Sequence, residues 1–164
     1  MRISGFAVWL RATPIAFFAA LALPGATPAY GQSWDVLTNP AQNSLGQSYC
    51  MLWYGESRPM MNFTIRDDGA HFIVIAANEF SGVPQQDEAA YRVPSGEILI
   101  VGYNAPQPGV ILSNLGQVGF EQFLHHFEDP GEFYISVGGQ RVHFPVADMG
   151  PKISTLWQCA AALP

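Results

Sequence analysis

The chain predicts an α+β fold that is mainly β: an antiparallel β-sandwich or open barrel of about seven to nine strands with two amphipathic helices, the second C-terminal. Three observations carry this. Apolar residues recur with period two along most of the chain, turn residues separate the runs, and only two segments switch to the helical spacing i, i+3, i+4, i+7.

The first thirty or so residues stand apart. Arg2 and Arg11 precede and flank a short uncharged run, residues 15–23 (IAFFAALAL). Such a run is too short to span a bilayer, and Thr27-Pro28-Ala29 or Ala29-Tyr30-Gly31 offers the small residues that a signal peptidase reads. Residues 1–31 are therefore expected to be a signal peptide, and residues 32–164 a single exported β-rich domain with no membrane span of its own, periplasmic or secreted. That domain keeps five basic residues against thirteen acidic ones, a formal charge of −8. So acidic a surface excludes nucleic acid and anionic lipid as electrostatic partners and leaves cationic ones open.

An exported domain with two cysteines predicts one disulfide, Cys50 to Cys159. Neither cysteine lies in a C-x-x-C or beside a basic residue that would activate its thiol. The bridge would close a loop of roughly a hundred residues, worth on the order of 4–5 kcal/mol through the entropy of the unfolded chain.

Residues 33–37 (SWDVL) and 47–54 (QSYCMLWY) read as the first strands, separated by a turn-rich stretch. Met61, Phe63 and Ile65 then alternate with Asn62, Thr64 and Arg66, which is a half-buried strand. Asp67-Asp68-Gly69 bends the chain into residues 70–77 (AHFIVIAA), the strongest hairpin signal present. Because Phe72, Ile73, Val74 and Ile75 are apolar on both faces, that second strand should be central. Residues 78–94, with Gly82, Pro84 and a polar run, read as a long excursion. Strands resume at 97–103 (EILIVGY), turn through the proline-bearing 104–109 and return at 110–115. A last hairpin joins Phe133–Val137 to residues 140–146 through Gly138-Gly139.

The first helix is expected over residues 119–128, where Phe120, Phe123, Leu124 and Phe127 form one apolar stripe, ended by Pro130-Gly131. The second begins near Gly150-Pro151, a first-turn position that suits proline, and carries Ile153, Leu156, Trp157 and Ala160 at the same spacing. Cys159 falls close to that stripe, so the disulfide should staple this helix over the strand holding Cys50.

No residue pattern names a reaction. There is no G-x-S-x-G, H-E-x-x-H, phosphate-binding glycine loop or dinucleotide fingerprint, and no catalytic, cofactor or metal residue is assigned. The carboxylate pairs Asp67-Asp68, Asp87-Glu88 and Glu128-Asp129 fall in a turn, a loop and a helix end. His125 and His126 lie opposite the phenylalanine stripe, about 100° apart, and should not converge on one point. Glu121, His125 and Asp129 share a helix row, for which a solvated face is preferred to a zinc or copper site. Met51, Met60 and Met61, near Trp53, read as packing rather than a copper site. His71 and His143 have no partner at ligand spacing. Trp34, Trp53, Tyr54, Tyr91, Tyr103 and Tyr134 are rich material for a recognition surface. The turn bearing Tyr103, Asn104, Pro106 and Pro108 is the expected partner contact. The expectation is thus a binding module engaging an unidentified protein or envelope component, with a periplasmic hydrolase of unrecognised site as the alternative and metal binding third.

The leader, the opening Ser33-Trp34-Asp35-Val36, the Ser48-Tyr49-Cys50 that follows, and the late Ile135-Ser136-Val137-Gly138-Gly139 and Phe144-Pro145-Val146 resemble small exported alpha-proteobacterial proteins of the invasion-associated locus B type. The resemblance implies a periplasmic or secreted β-sandwich without an established enzymatic role, at the host interface. The chain departs from that group in lacking an additional late cysteine pair, and no functional residues carry over.

Overall fold

The structure, a computed structural model, describes residues 33–127 and 131–164. The expected signal peptide lies outside the described residues, as do Glu128, Asp129 and Pro130. In chain order the strands are β1 (Trp34–Val36), β2 (Ala41–Gln42), β3 (Ser48–Tyr54), β4 (Met60–Arg66), β5 (His71–Ala76), β6 (Gln86–Arg92), β7 (Ile98–Gln107), β8 (Val110–Asn114), β9 (Phe133–Val137) and β10 (Gln140–Phe144). A 3-10 turn, Asn78–Phe80, follows β5, α1 (Gly116–His125) follows β8, and α2 (Met149–Ala160) is the last element.

The predicted class holds. All strand pairs are antiparallel, in a single sheet ordered β1-β3-β4-β5-β8-β7-β6-β9-β10, with β2 also beside β3. One curled sheet makes this an open barrel rather than a sandwich. Its two ends come back together where Trp34 Nε1 donates to the Pro145 carbonyl at 2.6 Å and the Tyr54 ring meets Phe144 edge-on at 5.7 Å.

The alternation read in the sequence sets which side chains face inward. Cys50, Leu52 and Tyr54 from β3, Met61, Phe63 and Ile65 from β4, and Ile73 and Ile75 from β5 are all buried. The two helices fill the concave side. Phe120, Phe123 and Leu124 of α1, with Phe127 just beyond it, meet Met149, Ile153, Leu156 and Cys159 of α2 within one core. The Phe63 ring lies 5.9 Å from Trp34, 6.2 Å from Phe120 and 6.0 Å from both Phe123 and Phe127. The disulfide forms as expected, with Cys50 and Cys159 Cα atoms 5.9 Å apart and both residues wholly buried, and it ties α2 to β3. β5 is central, between β4 and β8, and the Asp67-Asp68-Gly69 hairpin has Gly69 at φ +80°. Asp67 Oδ2 also accepts from the Ser48 amide at 2.7 Å, fastening that bend to β3.

Four details differ from expectation, each for a physical reason. The polar excursion contains β6, whose inward row is only Ala89 and Tyr91, continued by Val93, too short an apolar alternation to read. β7 runs on through the expected turn to Gln107, with a register shift between Asn104 and Gln107 that absorbs the prolines; the bend tightens to Pro108-Gly109. There Gly109 has φ +76°, and an added Cβ would come within 2.8 Å of the Ala77 carbonyl oxygen. α1 starts at Gly116 rather than Gly119, its first amide accepted by Asn114 Oδ1 at 3.1 Å, and it stops at His125. β10 ends at Phe144, before Pro145, which has no amide to extend the ladder.

Replacing both Cys50 and Cys159 by alanine is expected to lower unfolding stability by about 4–5 kcal/mol, since the bridge spans 109 positions of sequence. Urea unfolding checks this; a loss under about 1 kcal/mol contradicts it.

Candidate functional site: the groove between α1 and β7

β7 is paired along one edge by β6, from Ile98↔Arg92 to Asn104↔Gln86. Along its other edge β8 reaches only the far end, at Asn104↔Leu112 and Gln107↔Val110. After β8 the chain turns away at Leu115 and Gly116, the latter at φ +61°, and enters α1. The aromatic cluster then holds α1 over β4 and β5. Beside it, the inward row of β7 is left short of cover: Leu99 and Val101 are half-buried where the matching positions of β3, β4 and β5 are enclosed.

The result is an open groove of about 410 Å³. Leu99, Val101, Leu115 and Phe123 supply its apolar floor, while Glu97, Gln122, His125 and His126 give it a polar rim. Gly119 also lines it, so the helix side is not filled by a side chain. An added Cβ at Gly119 would meet only the Leu115 Cβ, at an ordinary 3.6 Å. A smaller hollow of about 280 Å³ lies between α1 and α2, lined by Glu121, Leu124, His125, Ile153 and Trp157.

The rim has one connected polar chain. His126 Nδ1 is 3.3 Å from the Ser95 hydroxyl, and its Nε2 is 3.8 Å from a Glu97 carboxylate oxygen. Ser95 sits on the β6–β7 turn, closed by the Gly96 amide donating to the Val93 carbonyl at 2.8 Å with Gly96 at φ +87°. His125 and His126 were expected to diverge. They border one opening because the groove wraps around the end of α1, and His126 is carried on the turn that follows it.

The other sequence candidates fall elsewhere. Tyr103, expected at the surface, is only 4% exposed, because it continues the inward row of Leu99 and Val101. Asn104, Pro106 and Pro108 are exposed; Asn104 Oδ1 accepts from Gln86 Nε2 at 2.8 Å, and the Pro108 carbonyl accepts from Arg58 at 3.3 Å. His71 is buried, Nδ1 2.9 Å from the Gly69 carbonyl oxygen and its ring against Phe120. His143 is exposed on β10 beside Tyr134, over whose ring the Arg141 guanidinium lies at 4.1 Å. Met51, Met60 and Trp53 are half-buried, on the convex side, while Met61 is in the core. Among the described residues no three histidine, cysteine or acidic side chains are grouped to hold a metal, and Asp129 of the helix row lies outside them.

Sequence reading missed the groove because Leu99 and Val101 count as core in any strand. The available signal was residues 98–101, four apolar residues in succession where a half-buried strand would alternate. Two tyrosines mark how dry the neighbouring interior is. Burial pushes Tyr91 up to about 12, opposed by its hydrogen bond with the Ser113 hydroxyl at 3.1 Å. Burial, aided by the Asp87 carboxylate, also raises Tyr103, whose enclosed hydroxyl has no hydrogen-bond partner among the described residues. No family model, curated protein or solved structure matches the chain.

Tyr103→Phe is expected to leave stability unchanged or raise it, since an unpaired buried hydroxyl is removed, whereas Tyr91→Phe strands the Ser113 hydroxyl and costs about 1 kcal/mol. Urea midpoints at pH 7 separate the two. Because both folded-state phenols are raised, the unfolded chain releases protons first. The phenols' contribution to stability is therefore complete below about pH 10 and is lost as pH rises toward 12. Tyr91→Phe should flatten that alkaline limb, and an unaltered limb would contradict the burial of Tyr91.

Proposed function

We propose that the chain is an exported, disulfide-closed binding domain acting in the cell envelope or outside the cell, and that its site is the groove between α1 and β7. The observation that carries this is an open cleft of about 410 Å³ on whose apolar floor Leu99 and Val101 are left half-buried. An apolar floor with a few polar groups at the rim is the usual form of a ligand site. The buried disulfide fits an oxidising compartment. Among the described residues no helix is long and apolar enough to cross a membrane. The resemblance to exported locus B-type proteins supports the same reading. With Glu97 and no lysine or arginine on its lining, the groove suits a neutral or cationic ligand with an apolar body.

The neutral apolar dye N-phenyl-1-naphthylamine should bind with single-site saturation and brightened emission. Gly119→Leu, which fills the groove from the helix side, should weaken that binding at least tenfold while unfolding stays cooperative. Equal binding by both proteins would remove the groove as the site.

One observation favours a second reading, a hydrolase. With the Ser95 hydroxyl donating to His126 Nδ1, the Nε2 proton faces Glu97, giving the order of nucleophile, base and orienting carboxylate. Hydrolysis of p-nitrophenyl acetate that falls at least a hundredfold in Ser95→Ala would favour it. Equal rates in the two proteins would dispose of it.

A further inference from the structure

The groove is bounded on one side by main chain. Pairing along β6 and β7 alternates, and the Val93 amide donating to the Glu97 carbonyl at 3.0 Å and the Ala105 amide donating to the Gln85 carbonyl at 2.7 Å fix its phase. Odd-numbered residues of β7 therefore direct their amides and carbonyls toward β6, and even-numbered ones toward the other edge. At Asn104 that other edge is taken by Leu112 of β8. Extending the β8 register would put Asn114 against Gly102 and the first residue of α1 against Ile100. Asn114 is still paired with Phe72 of β5, but by Gly116 the chain has left the sheet, and among the described residues no strand pairs with Ile98 or Ile100 on this side. The same two side chains are 54% and 58% exposed on the convex face, while Leu99 and Val101 open into the groove. A four-residue apolar stretch thus has an unpaired edge and is incompletely covered on both faces.

We propose that this edge receives an extended segment of a partner protein, paired antiparallel to Ile98 and Ile100 in the line that β8 abandons, with alternate apolar side chains in the groove and a lysine or arginine against Glu97. The proposal deepens the binding reading above and rests on it. A small ligand would fill the floor but leave two amides and two carbonyls of β7 without hydrogen-bonding partners from protein; a strand satisfies both. The pleat fixes the pattern. Residues of the segment opposite Val101, Leu99 and Glu97 share their face, so the first two should be apolar. The third meets a carboxylate that is 59% exposed and lies 3.8 Å from His126 Nε2, with no lysine or arginine paired to it among the described residues. Antiparallel direction places that basic residue at the C-terminal end of the segment.

The probe is the acetylated, amidated hexapeptide Thr-Val-Thr-Val-Thr-Lys, whose two valines and lysine fall on the groove side opposite Val101, Leu99 and Glu97. Hydrogen exchange by NMR on the intact exported domain should show the Ile98 and Ile100 amides slowed at least tenfold by saturating peptide. Those of Leu99 and Val101, already bonded to β6, should change little. Glu97→Lys should weaken this peptide at least fivefold and favour a version ending in glutamate. Ile100→Pro, which removes an edge-directed amide without touching the β6 ladder, should abolish protection at Ile98; if that variant fails to fold, the charge exchange at position 97 still decides. Unchanged exchange at Ile98 and Ile100 while N-phenyl-1-naphthylamine still binds would overturn the edge and leave the groove. Failure of both probes would remove both. Protection that grows with protein concentration in the absence of peptide would overturn the peptide in favour of a second copy of the chain.

Discussion

Phe63, near the middle of β4, points into the curve of the sheet and meets rings from β1 and from α1 and the turn after it. Burying such a side chain is worth roughly 1.5–3 kcal/mol, and each ring pair adds about 0.5–1.5. The cluster continues through Phe127 to Phe133 of β9 at 4.6 Å and through Phe123 to Tyr91 of β6 at 5.3 Å. α1 is thereby anchored by the half containing Phe120, Phe123 and Leu124. α2 has no comparable freedom either, since Cys159 is bonded to β3 and Met149, Ile153 and Leu156 are enclosed.

The groove follows from this placement together with simple dimensions. Strands spaced about 4.8 Å apart make a nine-strand path roughly 38 Å wide along its mid-plane, while two helices of about 10–12 Å diameter cover little more than half of that. Curling shortens the inner surface and the large aromatic side chains fill much of the remainder. What stays uncovered must lie farthest from both anchors. That place is the first half of β7, where the Phe63 cluster reaches only as far as Phe123 on the groove floor. The same event that builds α1 also strips β7 of its neighbour, because the residues that would have prolonged β8 become the first turn of the helix. Groove and open edge are two consequences of one departure of the chain from the sheet.

Strong local signals were enough for much of this. The Asp67-Asp68-Gly69 and Gly138-Gly139 bends, the alternation of β4, the hairpin of β9 and β10, and both helical stripes were legible because local chemistry and burial agree there. The disulfide was legible from compartment and cysteine count, and its position over α2 from the helix pattern. β6 was not, because Asp87 and two alanines stand where larger apolar side chains would mark a strand, and its pairing with β7 and β9 is set by tertiary contacts. Tyr103 was misplaced for a related reason: a proline-rich stretch was read as a turn, whereas a register shift lets the strand pass through it. The site itself was the least legible. Coverage is a property of what packs above a residue, and nothing local to Leu99 or Val101 states that α1 will lie elsewhere.

An uncovered apolar strand edge invites pairing with any extended chain, and proteins usually blunt such edges with lysine, proline or a bulge. Residues 98–101 carry none of these. The protection available here is electrostatic and acts over distance. Two copies meeting edge to edge would bring together domains of formal charge −8 each. In the antiparallel register that pairs Ile98 of one copy with Ile100 of the other, each Glu97 would face Val101 of the second copy and gain no counter-charge. Such repulsion is screened over about 8 Å at physiological salt, so it acts through the net charge of the two domains and weakens as salt rises. A basic segment meets the opposite field, attracted at distance by the domain as a whole and at contact by Glu97. The acidity that composition alone reveals thus separates the partners this edge admits from the one partner always present at equal concentration, the chain itself.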